Sequence, residues 1–313
     1  RWKSFEKSQI TLDESDVDFA INDILERYCT WKKVDRAAQE KDQVIIDFEG
    51  KIDGEGFEGN ESKDFKLTIG SKSMIPGFED NLIGKKSGDS FSFTTKFPDD
   101  YFKEDLSGKE TEFFVNLHEV QEMLKAKIDE ELFKKLAMED VKDEQSFRSE
   151  INKRMEGEIA QQEKSLTKES IYETLLSSND FKVPKATVKE QAELMRKDSL
   201  MRMGQTVENA ADDFFPVKDF LENAEKRVRL DLLFSALIQK YELEVEEEDL
   251  NKFIEDESQK YKDVEQFKTW IKTQPEQLNQ YKMVILEDLL IEKLDSALKS
   301  KQKVIKFSDL ANK

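Results

Sequence analysis

The sequence predicts an α+β multidomain chain, with a small β-rich domain followed by a long, helical region. Three observations predict it. Nine of the 11 glycines lie between Gly50 and Gly108, and ten of the 22 phenylalanines lie between Phe48 and Phe114. Short alternating apolar runs, separated by turn residues, fill the same stretch, which is the pattern of strands. Beyond about Glu122 glycine nearly vanishes, and apolar residues recur among helix formers with a 3.6-residue period.

The elements follow in order. Residues 1–10 read as extended. Thr11 with Glu14 fits a capping box. Val17, Ile21, Ile24, Leu25 and Tyr28 then recur at helical spacing, which predicts a helix over residues 11–31 that leaves Cys29 buried or half-buried. Strands are expected over 44–48, 65–69, 90–95 and 112–117, with His118 a surface residue after the last. Asp53-Gly54 is a hairpin-type turn signal. Pro76-Gly77 followed by Phe78, Leu82 and Ile83 predicts a short helix within 74–83. Later, Leu221, Ala224, Val228, Leu232 and Ser235 form one helical stripe, and Val284, Leu286, Leu290 and Leu294 another. Asn179-Asp180, Pro184, Gly204, Pro216 and Pro275 break the region into at least six helices. The acidic run at 244–249 reads as a solvated helix start. No fixed repeat is present, which disfavours a regular solenoid.

Composition excludes several classes of function. With 50 Lys+Arg against 69 Asp+Glu the net charge is −19, which argues against nucleic acid as a partner. Residues 34–122 hold 11 basic and 21 acidic residues, a net of −10, and make a poor anion binder. A single cysteine excludes an intrachain disulfide and a multi-cysteine zinc site. A single histidine excludes a multi-histidine metal site and argues against a Ser-His-Asp hydrolase. No apolar run approaches the roughly 20 residues of a membrane-spanning helix, so no membrane partner is expected. Gly84-Lys85-Lys86-Ser87 lacks the upstream glycine of a phosphate-binding loop. No cofactor and no metal are expected.

The β-rich block carries the most specific signal. In order it holds Val44-Ile45-Ile46-Asp47-Phe48-Glu49-Gly50, Asp53-Gly54-Glu55-Gly56-Phe57-Glu58-Gly59 and Phe65-Lys66-Leu67-Thr68-Ile69-Gly70. Met74-Ile75-Pro76-Gly77-Phe78-Glu79-Asp80, Lys86-Ser87-Gly88-Asp89, Phe97-Pro98-Asp99-Asp100-Tyr101 and Phe113-Phe114-Val115-Asn116-Leu117 follow. This series resembles the FKBP-type peptidyl-prolyl isomerase family. The resemblance implies a curved antiparallel sheet around one short helix, with an aromatic pocket between them. It implies a pocket of Phe48, Phe57, Phe65, Met74, Ile75, Phe78, Tyr101 and Phe113, with Phe78 as its floor. Glu58 joins this set where many stand-alone members carry Asp. Any one of these aromatics alone reads equally well as core.

The whole chain resembles the bacterial trigger factor family of ribosome-associated folding chaperones. The helical part contributes Asn179-Asp180-Phe181-Lys182-Val183-Pro184, Ala224-Glu225-Lys226-Arg227-Val228, the run 232–237 and Tyr241-Glu242-Leu243. The resemblance implies three parts. Residues 1–33 are a linker and a helix that packs with the C-terminal domain. Residues 34–122 are the isomerase, and 123–313 an all-α, elongated chaperone domain with arms that cradle clients. The family's ribosome-docking signature, Gly-Phe-Arg-x-Gly-Lys, is not found in these 313 residues, so ribosome contact is expected only through a domain absent here. Expected clients are unfolded or nascent polypeptides, held without ATP by a cytoplasmic monomer. Flexible, polarizable methionines suit such holding. Leu194, Met195, Leu200, Met201 and Met203, before Gly204, and Phe214 and Phe215 after it, are the candidate client contacts. Two other readings stand beside this one: a non-enzymatic polypeptide binder, and a stand-alone isomerase with a helical dimerisation tail.

Overall fold

The computed structural model describes residues 3–207 and 215–310. They form two compact units: residues 13–155, and residues 1–12 together with 156–313. These joins differ from the boundaries at 33/34 and 122/123 that the sequence suggests.

Strand β1 (Phe5–Thr11) opens the chain and belongs to the second unit. Helix α1 (Glu14–Arg27) follows in the first unit. Its capping box is Asp13 with Asp16, not Thr11 with Glu14. Thr11 is already held as the last residue of β1, so the helix starts after it. The helix also ends earlier than its apolar spacing suggests, because residues 30–34 are extended as β2 (Thr30–Val34). Cys29, between them, is half-buried. Helix α1 is tied to other residues of its own unit: the Ala126 amide donates to the Leu25 carbonyl at 3.0 Å, Glu26 pairs with Lys41 and Lys125, and Arg148 pairs with Asp18.

Next come β3 (Gln43–Lys51), β4 (Glu61–Thr68), β5 (Ser90–Lys96) and β6 (Glu110–Leu124), then α2 (Glu130–Lys135). The antiparallel sheet is organised by β6. Strand β3 runs along one side of it. On the other side β5 pairs with residues 110–116 and β2 with 120–124. Alternation puts Phe113, Val115 and Leu117 on the core face, with Val44 and Ile46 of β3, and Phe78 and Leu82 close the core over them. A register shift makes His118 the extra residue of a bulge. Bulges re-aim side chains, and here the imidazole Nε2 reaches the Asp47 carboxylate at 2.9 Å on the surface. The helix expected within 74–83 is one 3-10 turn, Glu79–Leu82. Gly77 and Gly84 both take positive φ, +86° and +84°, and these left-handed residues bound it on either side.

Helix α3 (Glu144–Ser178) begins in the first unit and continues into the second. There it is followed by α4 (Lys185–Arg202), α5 (Leu221–Lys240), α6 (Glu247–Ser258), α7 (Val264–Ile271), α8 (Pro275–Ala297), β7 (Ser300–Lys306) and α9 (Phe307–Leu310). The acidic run does start a helix, capped by Glu246 with Asp249. The core joins Phe5 of β1 to Ile171, Leu175, Leu230, Phe234, Leu237, Leu290 and Leu294. This unit is not all-α. β1 and β7 pair in parallel from Phe5↔Ser300 to Thr11↔Lys306. The α5 stripe is also corrected. Ala224 and Val228 are buried, but Leu232 is exposed, and Leu230, Phe234 and Leu237 carry the rest of the buried face.

Candidate active site: an aromatic pocket on the sheet

A cavity of about 580 Å³ opens beside the sheet. Phe48 of β3, Phe65 of β4 and Phe113 of β6 come from neighbouring strands and form its wall. Phe48 meets Phe65 edge-on at 5.6 Å and Phe113 at 6.3 Å between ring centroids. Gly50 pairs with Phe113 across the ladder. A Cβ there would sit 2.7 Å from the Phe113 ring and 3.2 Å from the Phe57 ring. The missing side chain is therefore the space that both rings fill.

Loops close the rest of the cavity. Asp53 and Gly54, with φ of 52° and 82°, make a turn in which Ile52 and Glu55 bridge. Positive φ at both central residues is the hairpin geometry expected of this dipeptide. The chain returns where Asn60 and Gly50 exchange hydrogen bonds, and Phe57 stands between. Its ring meets Phe97 at 5.9 Å, Phe97 meets Tyr101 at 4.8 Å, and Tyr101 meets Phe102 at 4.5 Å.

Of the nine residues singled out from the sequence, the structure brings eight to the cavity: Phe48, Phe57, Glu58, Phe65, Met74, Ile75, Tyr101 and Phe113. Phe78 is not among the lining residues. It is fully buried behind the wall, 5.6 Å from Phe48 and 5.0 Å from Phe113. Glu58 is at the rim, 95% exposed and 3.6 Å from Lys103. Phe97, Pro98, Phe102, Lys103 and Leu106 also line the cavity. The run Phe97-Pro98-Asp99-Asp100-Tyr101-Phe102 offered the signal, since it places three aromatics in six residues of a segment outside the strands. Sequence reasoning also missed Glu79, buried beneath the loop that carries Met74 and Ile75. Burial opposes its charge, but backbone N–H groups of Met74, Lys72 and Gly70 and the Ser71 hydroxyl outweigh that and hold its carboxyl below the usual range.

The candidate client contacts separate. Leu194, Met201 and Met203 are 57%, 60% and 56% exposed, whereas Leu200 is fully buried. Leu200 is therefore core of the α4 packing and presents no surface. Met195 is half-buried and Phe215 exposed. Phe214 lies outside the described residues. Leu194, Val207 and Val217 line a second cavity of about 570 Å³, edged by Glu190, Glu193, Arg196 and Lys197.

Comparison with known proteins gives two family models. A family model for FKBP-type peptidyl-prolyl cis-trans isomerase matches residues 34–118. One described as the C-terminus of bacterial trigger factor protein matches residues 143–295. The trigger factor of Marinobacter nauticus is 34% identical over 97% of this chain and 69% of that protein. The chain belongs to the trigger factor family. The trigger factor of Pseudoalteromonas atlantica is 33% identical over 98% of this chain and 71% of that protein. A solved structure of the trigger factor chaperone covers 94% of this chain and 72% of that one, at 18% identity and a TM-score of 0.44. As a member of the trigger factor family the protein is a chaperone that binds unfolded polypeptides and has peptidyl-prolyl cis-trans isomerase activity. Among the described residues, no helix is long and apolar enough to cross a membrane.

Proposed function

We propose that prolyl isomerisation takes place in the cavity walled by Phe48, Phe57, Phe65, Met74, Ile75, Tyr101 and Phe113, within residues 34–122. Holding of unfolded chains belongs, in this reading, to the helical part within 123–313. The observation that carries the first assignment is the chemistry of the lining. Among the described residues its charged groups are Glu58 and Lys103, paired with each other at the rim.

Such a lining suits the reaction. Rotation about an X-Pro bond faces a barrier of about 18–20 kcal/mol, set by amide resonance. No bond to a side chain is made or broken. At the top of the barrier the amide is twisted, resonance is lost, and the carbonyl is less polar than in the planar form. An apolar wall therefore binds the twisted form better than the planar one, and only such differential binding speeds the step. The aromatic rings also fix the proline ring by shape, with Phe57 and Tyr101 supplied by loops and Phe48 and Phe113 by strands.

Holding asks for something else. An unfolded chain offers apolar side chains scattered over many residues, and several weak contacts act together through their proximity. Leu194 is exposed midway along α4, Met201 in its last turn and Met203 just after it, and Met195 and Phe215 lie close to them in sequence. Nothing in that action calls for a nucleotide. We read the acting form as a cytoplasmic monomer, with nucleic acid disfavoured by the net charge of −19.

Paired variants of the whole chain test the assignment. Tyr101→Ala should lower isomerisation of an X-Pro peptide and leave suppression of client aggregation intact. Leu194→Asp with Met203→Asp should do the reverse for a client lacking proline. If either variant impairs both activities in a folded protein, the division is wrong.

A further inference from the structure

The loop that brings Met74 and Ile75 to the cavity has little secondary structure of its own. It leaves β4 after Thr68, passes Gly70 with φ of +91°, and reaches Pro76 without joining a ladder. Its amides must still find acceptors. One carboxylate takes four of them. Glu79 Oε2 accepts from the N–H of Gly70 at 2.7 Å and of Lys72 at 3.1 Å. Its Oε1 accepts from the N–H of Ser73 at 2.9 Å, the N–H of Met74 at 3.2 Å and the Ser71 hydroxyl at 3.2 Å. Glu79 is 8% exposed, and its neighbours Phe78 and Leu82 are fully buried in the sheet core. The acceptor is thus fixed to the core while its donors lie on the loop.

We propose that Glu79 is a positioning residue for the isomerase reaction, whose carboxylate clamps residues 70–74 and so sets Met74 and Ile75 against the bound X-Pro segment. This inference rests on the reading of the cavity as the isomerase site. Charge-assisted hydrogen bonds are the strong ones, and two oxygens shared among five donors fix the loop in one arrangement. An apolar wall discriminates between twisted and planar amide only if it is held close to shape, since small misplacements around a reacting group cost much of the rate. Glutamine at 79 would keep one accepting oxygen and turn an NH₂ group toward two amide donors. The loop would lose part of its clamp while the core contacts of the side-chain stem remain.

The test uses the full chain with Glu79→Gln and Ser71→Ala, and Tyr101→Ala as the control for the site. Isomerisation of an X-Pro peptide is followed for kcat and KM, and urea unfolding is followed alongside. For folded Glu79→Gln, kcat should fall roughly tenfold, equivalent to about 1.4 kcal/mol, with KM changed less than twofold. Ser71→Ala removes one donor and should lower kcat roughly two- to threefold at an unchanged unfolding midpoint, well under 1.4 kcal/mol. Wild-type kcat in folded Glu79→Gln overturns the inference. So does a loss that appears only as the protein unfolds. If Glu79→Gln does not fold, Ser71→Ala decides by the same measure. If Tyr101→Ala is also without effect, the reading of the cavity has failed as well; if Tyr101→Ala is impaired and the Glu79 and Ser71 variants are not, only the clamp is wrong.

Discussion

The rings of Phe78 and Phe113 stand edge to face, centroids 5.0 Å apart and planes at 82°, and of the two only Phe113 reaches the cavity. Phe78 supports the wall from behind. Truncating it to alanine is expected to cost about 3–5 kcal/mol, as for other buried aromatics. Isomerisation by the molecules that remain folded should fall less than in Tyr101→Ala. Urea unfolding with parallel peptide assays checks this. Loss of isomerisation at unchanged stability would mean that Phe78 touches the substrate after all.

Gly50 allows a sharper experiment because its effect points into the cavity. A methyl group there would meet Phe113 at 2.7 Å and Phe57 at 3.2 Å. Overpacking of this kind costs about 1–3 kcal/mol, and relief is available only by moving the two rings. Gly50→Ala should therefore lower kcat/KM several-fold and alter the near-ultraviolet spectrum of the aromatic cluster. An active variant with an unchanged spectrum would show that the rings have room to yield.

Strands β3, β4, β5 and β6 were legible because one face of each is buried or half-buried, whereas β2, with no buried residue, was read as the end of a helix. The period-2 pattern of Val44 and Ile46, or of Phe113, Val115 and Leu117, is then forced on the sequence. The aromatic pocket was legible for the same reason together with the order of the family motifs. What escaped has physical causes. In β7, Ser-Lys-Gln-Lys-Val-Ile-Lys is almost wholly exposed, so no buried face marks it as a strand. Since β7 holds Thr11 through β1, the start of α1 was misread with it. Helix α5 packs against both α4 and α8, so its buried residues do not fall on the single stripe that a periodic reading seeks. Glu79 looks like any acidic residue in a sequence, because its acceptors' partners are backbone amides that carry no residue signature.

Glu26 gives a pH dependence with a definite sign. Its carboxyl, ordinarily near 4.5, is pushed down to about 2 by the Lys41 ammonium, then by the Asn22 amide, with Lys125 adding to both against the opposing effect of burial. A depressed carboxylate stabilises the fold above its unfolded value and loses that contribution as pH falls. Glu26→Gln should therefore be less stable than wild type at pH 7. The gap between their urea midpoints should close between about pH 4.5 and 2. A gap that stays constant across that range would rule out the ion pairs as its source.

Neighbouring apolar residues on α4 should behave in opposite ways. Leu200→Ala is expected to cost about 2–5 kcal/mol with holding changed only through stability. Met201→Ala and Met203→Ala together should shift stability by no more than about 0.5 kcal/mol each but weaken suppression of client aggregation. Light scattering of a denatured client, with urea unfolding of the chaperone, distinguishes them. Unimpaired holding by the methionine variants would move the client contacts elsewhere on the helical part.

The parallel pairing of Phe5–Thr11 with Ser300–Lys306 also sets a timetable for synthesis. The sheet unit is one continuous stretch, so it has all its parts once residue 155 has been made. The other unit cannot be completed then. Phe5 must wait for the helices that bury it, and β1 lacks its partner strand until residues 300–306 have been made. Closing so long a loop is slow relative to local contacts. During translation the two units should therefore mature in sequence, and the second remains open-ended until its last strand arrives. A chaperone that binds unfolded polypeptides thus carries, by this topology, a unit that is itself unfinished until residues 300–306 have been made.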